Sequence, residues 1–290
     1  LPARAQNAIS PSLSVNPGLS RETVAPGETK KVEIWLGNLG ADPIPLSATT
    51  FNIAKISDAG APEFTRASVK RSASDWLTLD RPDLILAGNS EQKLIATITT
   101  PKDAAPGGYS AAIIFQAKLP SYYFDLDANT RILPALSVSF LISVTGSGQI
   151  PSTADIKIKS FEVPKVVVSG PVPVVTEVSN PTDYFIYADG DVTIAPAYGD
   201  NKTINELSRS VIMPDSSRKY VNAYSDRIWP GVYTATVKLG EGNSALVASA
   251  KFVAIPWQFI VIVFTLLIII LALVSRRRLK RAMAALTGKE

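Results

Sequence analysis

Lys31-Val32-Glu33-Ile34-Trp35-Leu36 alternates residue by residue, with Val32, Ile34 and Leu36 on one face and Trp35 on the other. A period of two residues marks a β-strand with one face buried. Segments 93–99, 109–115, 137–144, 172–178 and 233–239 are β-rich in the same way. Between Ile9 and Ala254 such runs are short and separated by Gly, Pro, Asn and Asp, and no long segment with a 3.6-residue period intervenes. Many short strands divided by turn signals predict antiparallel β-sandwiches.

The pattern recurs along the chain. Asn38 follows a strand, and Pro106-Gly107-Gly108-Tyr109-Ser110-Ala111 comes downstream; Asn180 likewise follows a strand, ahead of Pro230-Gly231-Val232-Tyr233-Thr234-Ala235. Proline fixes the turn entry, glycine supplies positive φ, and an early-strand tyrosine can bury its ring and bond its hydroxyl back to backbone. That resembles an immunoglobulin-type tyrosine corner without the disulfide. Pro-Gly turns are common, so two unrelated turns are the alternative; the matched order of parts favours a duplicated architecture. The small, polar stretch Gly146-Ser147-Gly148-Gln149-Ile150-Pro151-Ser152 is the expected boundary. The expected organisation is an N-terminal segment (1–8), a first immunoglobulin-like sandwich (9–146), a linker (147–152) and a second sandwich (153–255).

Residues 259–274, from Phe259 to Val274, read FIVIVFTLLIIILALV, with no charge and only Thr265 polar. Counted from Trp257 to Ser275, nineteen residues of helix at ~1.5 Å each span roughly 28 Å, close to the ~30 Å hydrocarbon core of a bilayer. A transmembrane helix is therefore expected at 256–275, with Trp257 as an interfacial aromatic. Arg276, Arg277, Arg278, Lys280 and Arg281 crowd its C-terminal end and open a basic segment, 276–290. Positive charge in a short flank marks the cytoplasmic side and suits anionic lipid headgroups. The expected architecture is an all-β ectodomain of two tandem sandwiches followed by one transmembrane α-helix, single-pass in a bacterial cell membrane, with the N-terminal part outside. The opening LPARAQ holds Ala3-Arg4-Ala5, the pattern of a signal-peptidase site, so cleavage of an upstream signal peptide near Ala5 is expected.

The basic pI belongs to the C-terminal segment. From Arg276 onward lie six of the 29 basic and one of the 25 acidic residues, which leaves 23 and 24 before it and a net charge near −1. Nothing in that balance points to nucleic acid. The chain has neither cysteine nor histidine. Thiol nucleophiles, the commonest general base and the commonest metal ligand are thus missing. A large outside region without disulfides fits a bacterial surface protein that relies on hydrophobic burial.

No catalytic motif, phosphate loop or dinucleotide fingerprint is present, so neither enzyme activity nor a cofactor is expected. Asp125-Leu126-Asp127-Ala128-Asn129 begins like a calcium loop, but Thr130 replaces the glycine at position six and Leu136 the glutamate at position twelve. Asp183, Asp189 and Asp191 carry no better metal signal, and Asp189-Gly190-Asp191 reads as a hairpin turn. Tyr122, Tyr123 and Phe124 follow Pro120-Ser121 and are the candidate partner-binding aromatics. Exposed aromatics stack on sugars or fill partner pockets; rings packed into their own sandwich are the alternative.

Val24-Ala25-Pro26-Gly27-Glu28-Thr29, Trp76-Leu77-Thr78-Leu79, Ala87-Gly88-Asn89-Ser90, Ile98-Thr99-Thr100-Pro101, the first Pro-Gly-Gly-Tyr turn, and Arg131 ahead of segment 140–146 come in a fixed order. A second sandwich ending in Pro230-Gly231-Val232-Tyr233, an apolar helix and a basic end follow. In that order the chain resembles the WxL-interacting protein family of Gram-positive and related bacterial surface proteins. The resemblance implies a first domain associated with peptidoglycan and a second that binds host or other surface proteins. The expected function is a non-catalytic, membrane-anchored binding or scaffold protein. A membrane-anchored accessory or assembly subunit of a larger complex is the alternative, and an enzyme without His or Cys a minor one. Ala272 is the lone small residue in the core of the span, which gives lateral helix packing little support.

Overall fold

The computed structural model describes residues 13–58, 60–118, 134–146, 155–198, 202–207, 210–240 and 245–286. One sheet of the first half comprises β1 (Leu13–Asn16), β3 (Thr29–Asn38), β8 (Ser90–Thr99) and β6 (Leu77–Leu79), in the order β1-β3-β8-β6. The other has the order β2-β10-β9-β4-β5. It is built from β2 (Leu19–Val24), β10 (Ala135–Val144), β9 (Gly107–Ala117), β4 (Ile44–Ile56) and β5 (Pro62–Thr65), with β7 (Asp83–Leu86) paired to the start of β4. Both sheets turn apolar faces into one core. Val32, Ile34, Leu36, Leu94 and Ile98 come from the first sheet, and Ile113, Phe115, Val138, Phe140 and Ile142 from the second. That shared core makes a β-sandwich of immunoglobulin-like type. The alternation read in β3 holds: Ile34 and Leu36 are fully buried, whereas Trp35 is 42% exposed.

The second half repeats this strand order. Strands β11 (Lys157–Glu162), β13 (Val172–Asn180) and β18 (Ser216–Tyr224) form a sheet in the order β11-β13-β18. A second sheet has the order β12-β20-β19-β15-β16, from β12 (Val166–Val167), β20 (Leu246–Ala254), β19 (Gly231–Leu239), β15 (Gly190–Pro196) and β16 (Lys202–Leu207). A pair of short strands, β14 (Ile186–Tyr187) and β17 (Val211–Ile212), completes it. The chirality-bearing detail recurs as well: β2 runs parallel to β10, and β12 runs parallel to β20. One strand differs. The thirteen residues of β4 run unbroken, but their counterpart is interrupted at Ala188-Asp189 between β14 and β15.

That interruption corrects the hairpin reading of Asp189-Gly190-Asp191. Gly190 already lies in β15, opposite Leu239 of β19 and Leu207 of β16. Its glycine is required by close approach, because a Cβ there would stand 2.2 Å from the Lys238 carbonyl oxygen. An Asp-Gly pair signals a tight turn in isolation; here the neighbouring strand selects the glycine.

Compact packing groups the residues in a way that the linear order does not. The first unit holds residues 1–156 together with 179–187 and 210–218; the second holds 157–178, 188–209 and 219–290. The expected linker, 147–152, lies outside the described residues.

A single helix, α1 (Trp257–Leu286), ends the described chain. It begins two residues after β20 and runs past the expected limit at 275, carrying Arg276, Arg277, Arg278, Lys280 and Arg281 on its continuation. Ala282, Ala284 and Ala285 are strong helix formers, and no glycine or proline interrupts the run. The stretch Trp257–Arg276 is long and apolar enough to cross a membrane. Its apolar side chains are exposed around the helix, including Phe259 and Val274. The hydroxyl of Thr265 donates to the Val261 carbonyl at 2.8 Å, so the one polar side chain between Phe259 and Val274 is satisfied within the helix.

Candidate binding cleft and helix-proximal surface

Two buried asparagines set the loop geometry around which the candidate sites are built. In the first, the Asn38 amide donates to the carbonyls of Asp42 (2.8 Å), Leu86 (3.2 Å) and Ala87 (3.1 Å), and its oxygen accepts from the Gly40 N–H (3.0 Å). In the second, the Asn180 amide donates to the carbonyls of Tyr184 (2.7 Å), Ile212 (3.2 Å) and Met213 (3.1 Å), and its oxygen accepts from the Thr182 N–H (3.0 Å). Each asparagine clamps a turn four residues ahead to the end of a later strand. Both are fully buried, so every one of those bonds offsets a desolvation cost.

Asn180 belongs to the first unit, and the Ile212 and Met213 carbonyls that it holds lie in the wall of a cleft there of about 580 Å³. Its lining comes from the end of β4, from Val69, Lys70 and Arg71, and from segment 211–218. Lys70 pairs with Asp215 at 2.5 Å, and Arg71 pairs with Asp183. The Arg71 guanidinium also stands 5.7 Å from the centre of the Tyr109 ring, and its Nε is buried with no hydrogen-bond partner among the described residues. Arg218, largely buried, donates to the carbonyls of Val211 and Asp58. The hydrogen bond and charge of Lys70 hold the Asp215 carboxyl below its ordinary range, with a smaller contribution from Arg71. Nearby, burial pushes the Tyr187 hydroxyl up, against the opposing charge of Arg21, whose guanidinium lies 4.1 Å from the ring centre. This cleft offers hydrogen-bond donors and already paired charges, which suits binding a polar partner group by exchange of partners.

The other concave surface belongs to the second unit, where it meets the helix. The Val253 N–H donates to the Lys165 carbonyl (2.9 Å), Ile255 N–H to Val167 (2.8 Å) and Trp257 N–H to Val168 (3.0 Å). The backbone ladder between β12 and β20 thus continues into the first helical residue. Pro256 precedes the helix, and its carbonyl accepts from Phe259 N–H at 2.9 Å and Ile260 N–H at 3.3 Å. A cavity of about 520 Å³ lies beside this junction, lined by Val168, Gly170, Ile228, Trp229, Trp257 and Ile262 among others. A neighbouring concavity of about 900 Å³ is aromatic, with Tyr198 and Trp229 exposed and Tyr224 and Tyr233 buried in its wall.

The tyrosine corner expected from the two Pro-Gly turns forms in both repeats. Tyr109 Oη donates to the Ala105 carbonyl (2.9 Å), and Tyr233 Oη donates to the Trp229 carbonyl (3.0 Å) while accepting from the Trp229 N–H (3.0 Å). Gly107 and Gly231 take φ of +143° and +158°, values that side-chain-bearing residues rarely adopt.

The candidate aromatics Tyr122, Tyr123 and Phe124 lie outside the described residues, as do Arg131 and the loop 125–130. Leu136 lies in β10. Asp183 serves Arg71, Asp189 and Asp191 flank the start of β15, and no group of three potential metal ligands gathers among the described residues. Reading the sequence did not single out Arg71, Val168 or Trp229. Arg71 and Asp183 are 112 positions apart, and isolated apolar side chains on a surface are ordinary until their neighbours are known.

No protein-family model matches the chain, and no curated protein matches it in sequence. Among solved structures it is similar to the CupB2 chaperone of Pseudomonas aeruginosa, at 11% identity and a TM-score of 0.41, over 81% of this chain and 97% of that one. It is also similar to the E. coli chaperone DraB, at 13% identity and a TM-score of 0.41, over 84% and 98%. A PapD-like domain of human CEP192 is similar at 14% identity and a TM-score of 0.32, over 50% and 92%.

Proposed function

We propose that this chain is a non-catalytic, single-pass membrane protein whose two tandem immunoglobulin-like sandwiches hold a partner outside a bacterial cell. The observation that carries this reading is the junction at Val168 and Trp257. There the N–H of the first residue of an apolar, membrane-length helix is bonded at 3.0 Å into the backbone of the sandwich before it. A helix tied in this way fixes the height and direction of the adjoining β unit, which suits presentation of a binding surface better than turnover. The basic residues 276–281 favour the orientation with the β part outside. Peptidoglycan or another surface protein is the partner implied by the family resemblance, and the cleft beside Arg71 and Asp215 is the surface offered to it.

Two measurements on the full chain test the reading. Alkaline extraction of membranes should leave the protein in the pellet, and a protease added outside intact cells should remove the β part while sparing the C-terminal end. Release by alkali sinks the anchor. The detergent-solubilised chain should then sediment with purified peptidoglycan or retain a surface protein. Recovery of integral membrane proteins alone supports the accessory-subunit reading instead.

A further inference from the structure

The membrane-anchored reading leaves open what the underside of the second unit does, and the junction geometry limits the answer. Loop 168–171 and loop 225–230 line the same cavity as Trp257, Phe259 and Ile262. Ile262 is five residues beyond Trp257, about 7.5 Å along the axis at ~1.5 Å per residue. The headgroup layer between water and hydrocarbon is of similar depth, roughly 5–7 Å on each side of the bilayer. Loops that share a cavity with Ile262 therefore reach the level of the headgroups once the helix spans.

Their chemistry fits that level. Trp229 is 64% exposed and Val168 51% exposed, so apolar surface is presented where no protein covers it among the described residues. The Arg227 guanidinium lies 4.9 Å from the centre of the Trp229 ring. An indole flanked by an arginine matches the layer that tryptophan prefers and that places phosphates within reach of a cation. The Trp229 backbone is pinned at both its N–H and its carbonyl by the Tyr233 hydroxyl. The ring is thus carried on a fixed frame.

We infer that Val168, Arg227 and Trp229 form a foot that seats the second unit in the lipid headgroup layer, with the bilayer as its occupant. This rests on the membrane-anchored reading. The helix and the foot give the unit two attachments to one plane, which sets its tilt as well as its height.

The natural absence of cysteine makes the test direct. Single substitutions Val168→Cys, Trp229→Cys, Ile268→Cys and Lys238→Cys in the full chain each receive an environment-sensitive fluorophore. The protein is placed in phosphatidylcholine vesicles containing phosphatidylglycerol, with nitroxide carried on the headgroup in one set and deep in the acyl chain in another. Lys238 is exposed and lies seven residues along β19 from Gly231, roughly 23 Å at ~3.3 Å per residue. Labels at 168 and 229 should be quenched several-fold more by the headgroup nitroxide than the label at 238, and should resist aqueous iodide. The label at 268 should respond to the deep nitroxide. If 268 fails to respond, the anchor reading falls. If 268 responds while 168 and 229 behave like 238, the foot is overturned and the anchor stands; a protein partner would then be sought for Trp229. The variant Tyr233→Phe, which keeps the ring but frees the Trp229 backbone, should weaken headgroup quenching at a label on 168 less than the variant Trp229→Ser does.

Discussion

Pro106-Gly107-Gly108-Tyr109 and Pro230-Gly231-Val232-Tyr233 perform the same turn and differ at the third residue and in what the tyrosine holds. A Cβ on Gly108 would stand 2.8 Å from the Phe185 ring, and the Gly108 N–H donates to the Asp183 carbonyl at 2.7 Å. Val232 is 47% exposed, and its carbonyl accepts from the Ala197 N–H at 2.9 Å. Four residues before each tyrosine the hydroxyl finds Ala105 in one case and Trp229 in the other. The repeated frame therefore fixes the turn and the tyrosine, while the variable positions adapt each copy to its surroundings: packing on segment 183–185 in the first unit, an exposed indole beside the helix in the second.

The asparagine clamps provide the strongest way to break the comparison. Asn38→Ala takes the shared donor from the carbonyls of Asp42, Leu86 and Ala87, of which the Leu86 bond is buried, and should cost about 2–4 kcal/mol over the lost bonds together. Asn180→Ala should cost at least as much, because the Thr182 hydroxyl also donates to its side chain at 2.7 Å. Thermal or urea unfolding of both variants reads the pair. An Asn38→Asp exchange should be worse than alanine, since a carboxylate would face three carbonyl oxygens; a neutral outcome for any of these would show that the clamp is incidental.

Exchanging the third turn residues comes next. Gly108→Val makes the first turn read like the second and drives a branched side chain into Phe185, an overpacking cost of about 1–3 kcal/mol. The reciprocal Val232→Gly should lose about 0.5–1 kcal/mol, mostly as strand entropy. Equal effects in the two directions would mean that Phe185 yields freely.

How much of this was legible in the sequence follows the range of the interaction. Alternation exposed β3, β-rich runs exposed β8, β9, β10, β13 and β19, and the Asn and Pro-Gly-x-Tyr markers exposed the repeat of strand order, because all are written over a few neighbouring residues. The parallel pairing of β2 with β10 and the break between β14 and β15 were not, since they depend on strands more than a hundred residues away or on a carbonyl pressed against Gly190. The second half adds tyrosines to its apolar interior. Tyr220, Tyr224 and Tyr233 are buried there with Ile194, Leu239 and Phe252, and the Tyr233 ring stacks 5.2 Å from that of Phe252. Each of those tyrosines must also satisfy a hydroxyl, and hydropathy reads that requirement poorly.

The two tyrosine corners sharpen the comparison on a smaller scale. Tyr109→Phe removes one hydrogen bond, to Ala105, and should cost about 0.5–1.5 kcal/mol. Tyr233→Phe leaves both the N–H and the carbonyl of Trp229 without their partner and should cost more, about 1–2 kcal/mol. Calorimetric unfolding measures the ranking, and a reversed order would mean that water replaces the Tyr233 hydroxyl more readily than the Tyr109 one.

The smallest effect belongs to the ion pairs of the first unit's cleft. Asp215 has its pKa held below the usual 3.8 chiefly by the hydrogen bond and charge of Lys70. A carboxyl with a depressed folded-state pKa contributes stability that is present above the unfolded value and is lost as pH falls through the folded one. Its contribution should therefore be constant near neutrality and disappear below about pH 4. Lys70→Ala should move the Asp215 titration, followed by the carboxyl carbon shift in NMR, back up toward 3.8, and should flatten that part of the acid unfolding curve. Arg71→Ala should move it less, because Arg71 contributes after Lys70 and is itself engaged with Asp183. An exposed pair is worth little to stability, so near-neutral melting temperatures should barely change. A large loss at neutral pH would instead show that Lys70 holds segment 210–218 in place by more than its charge.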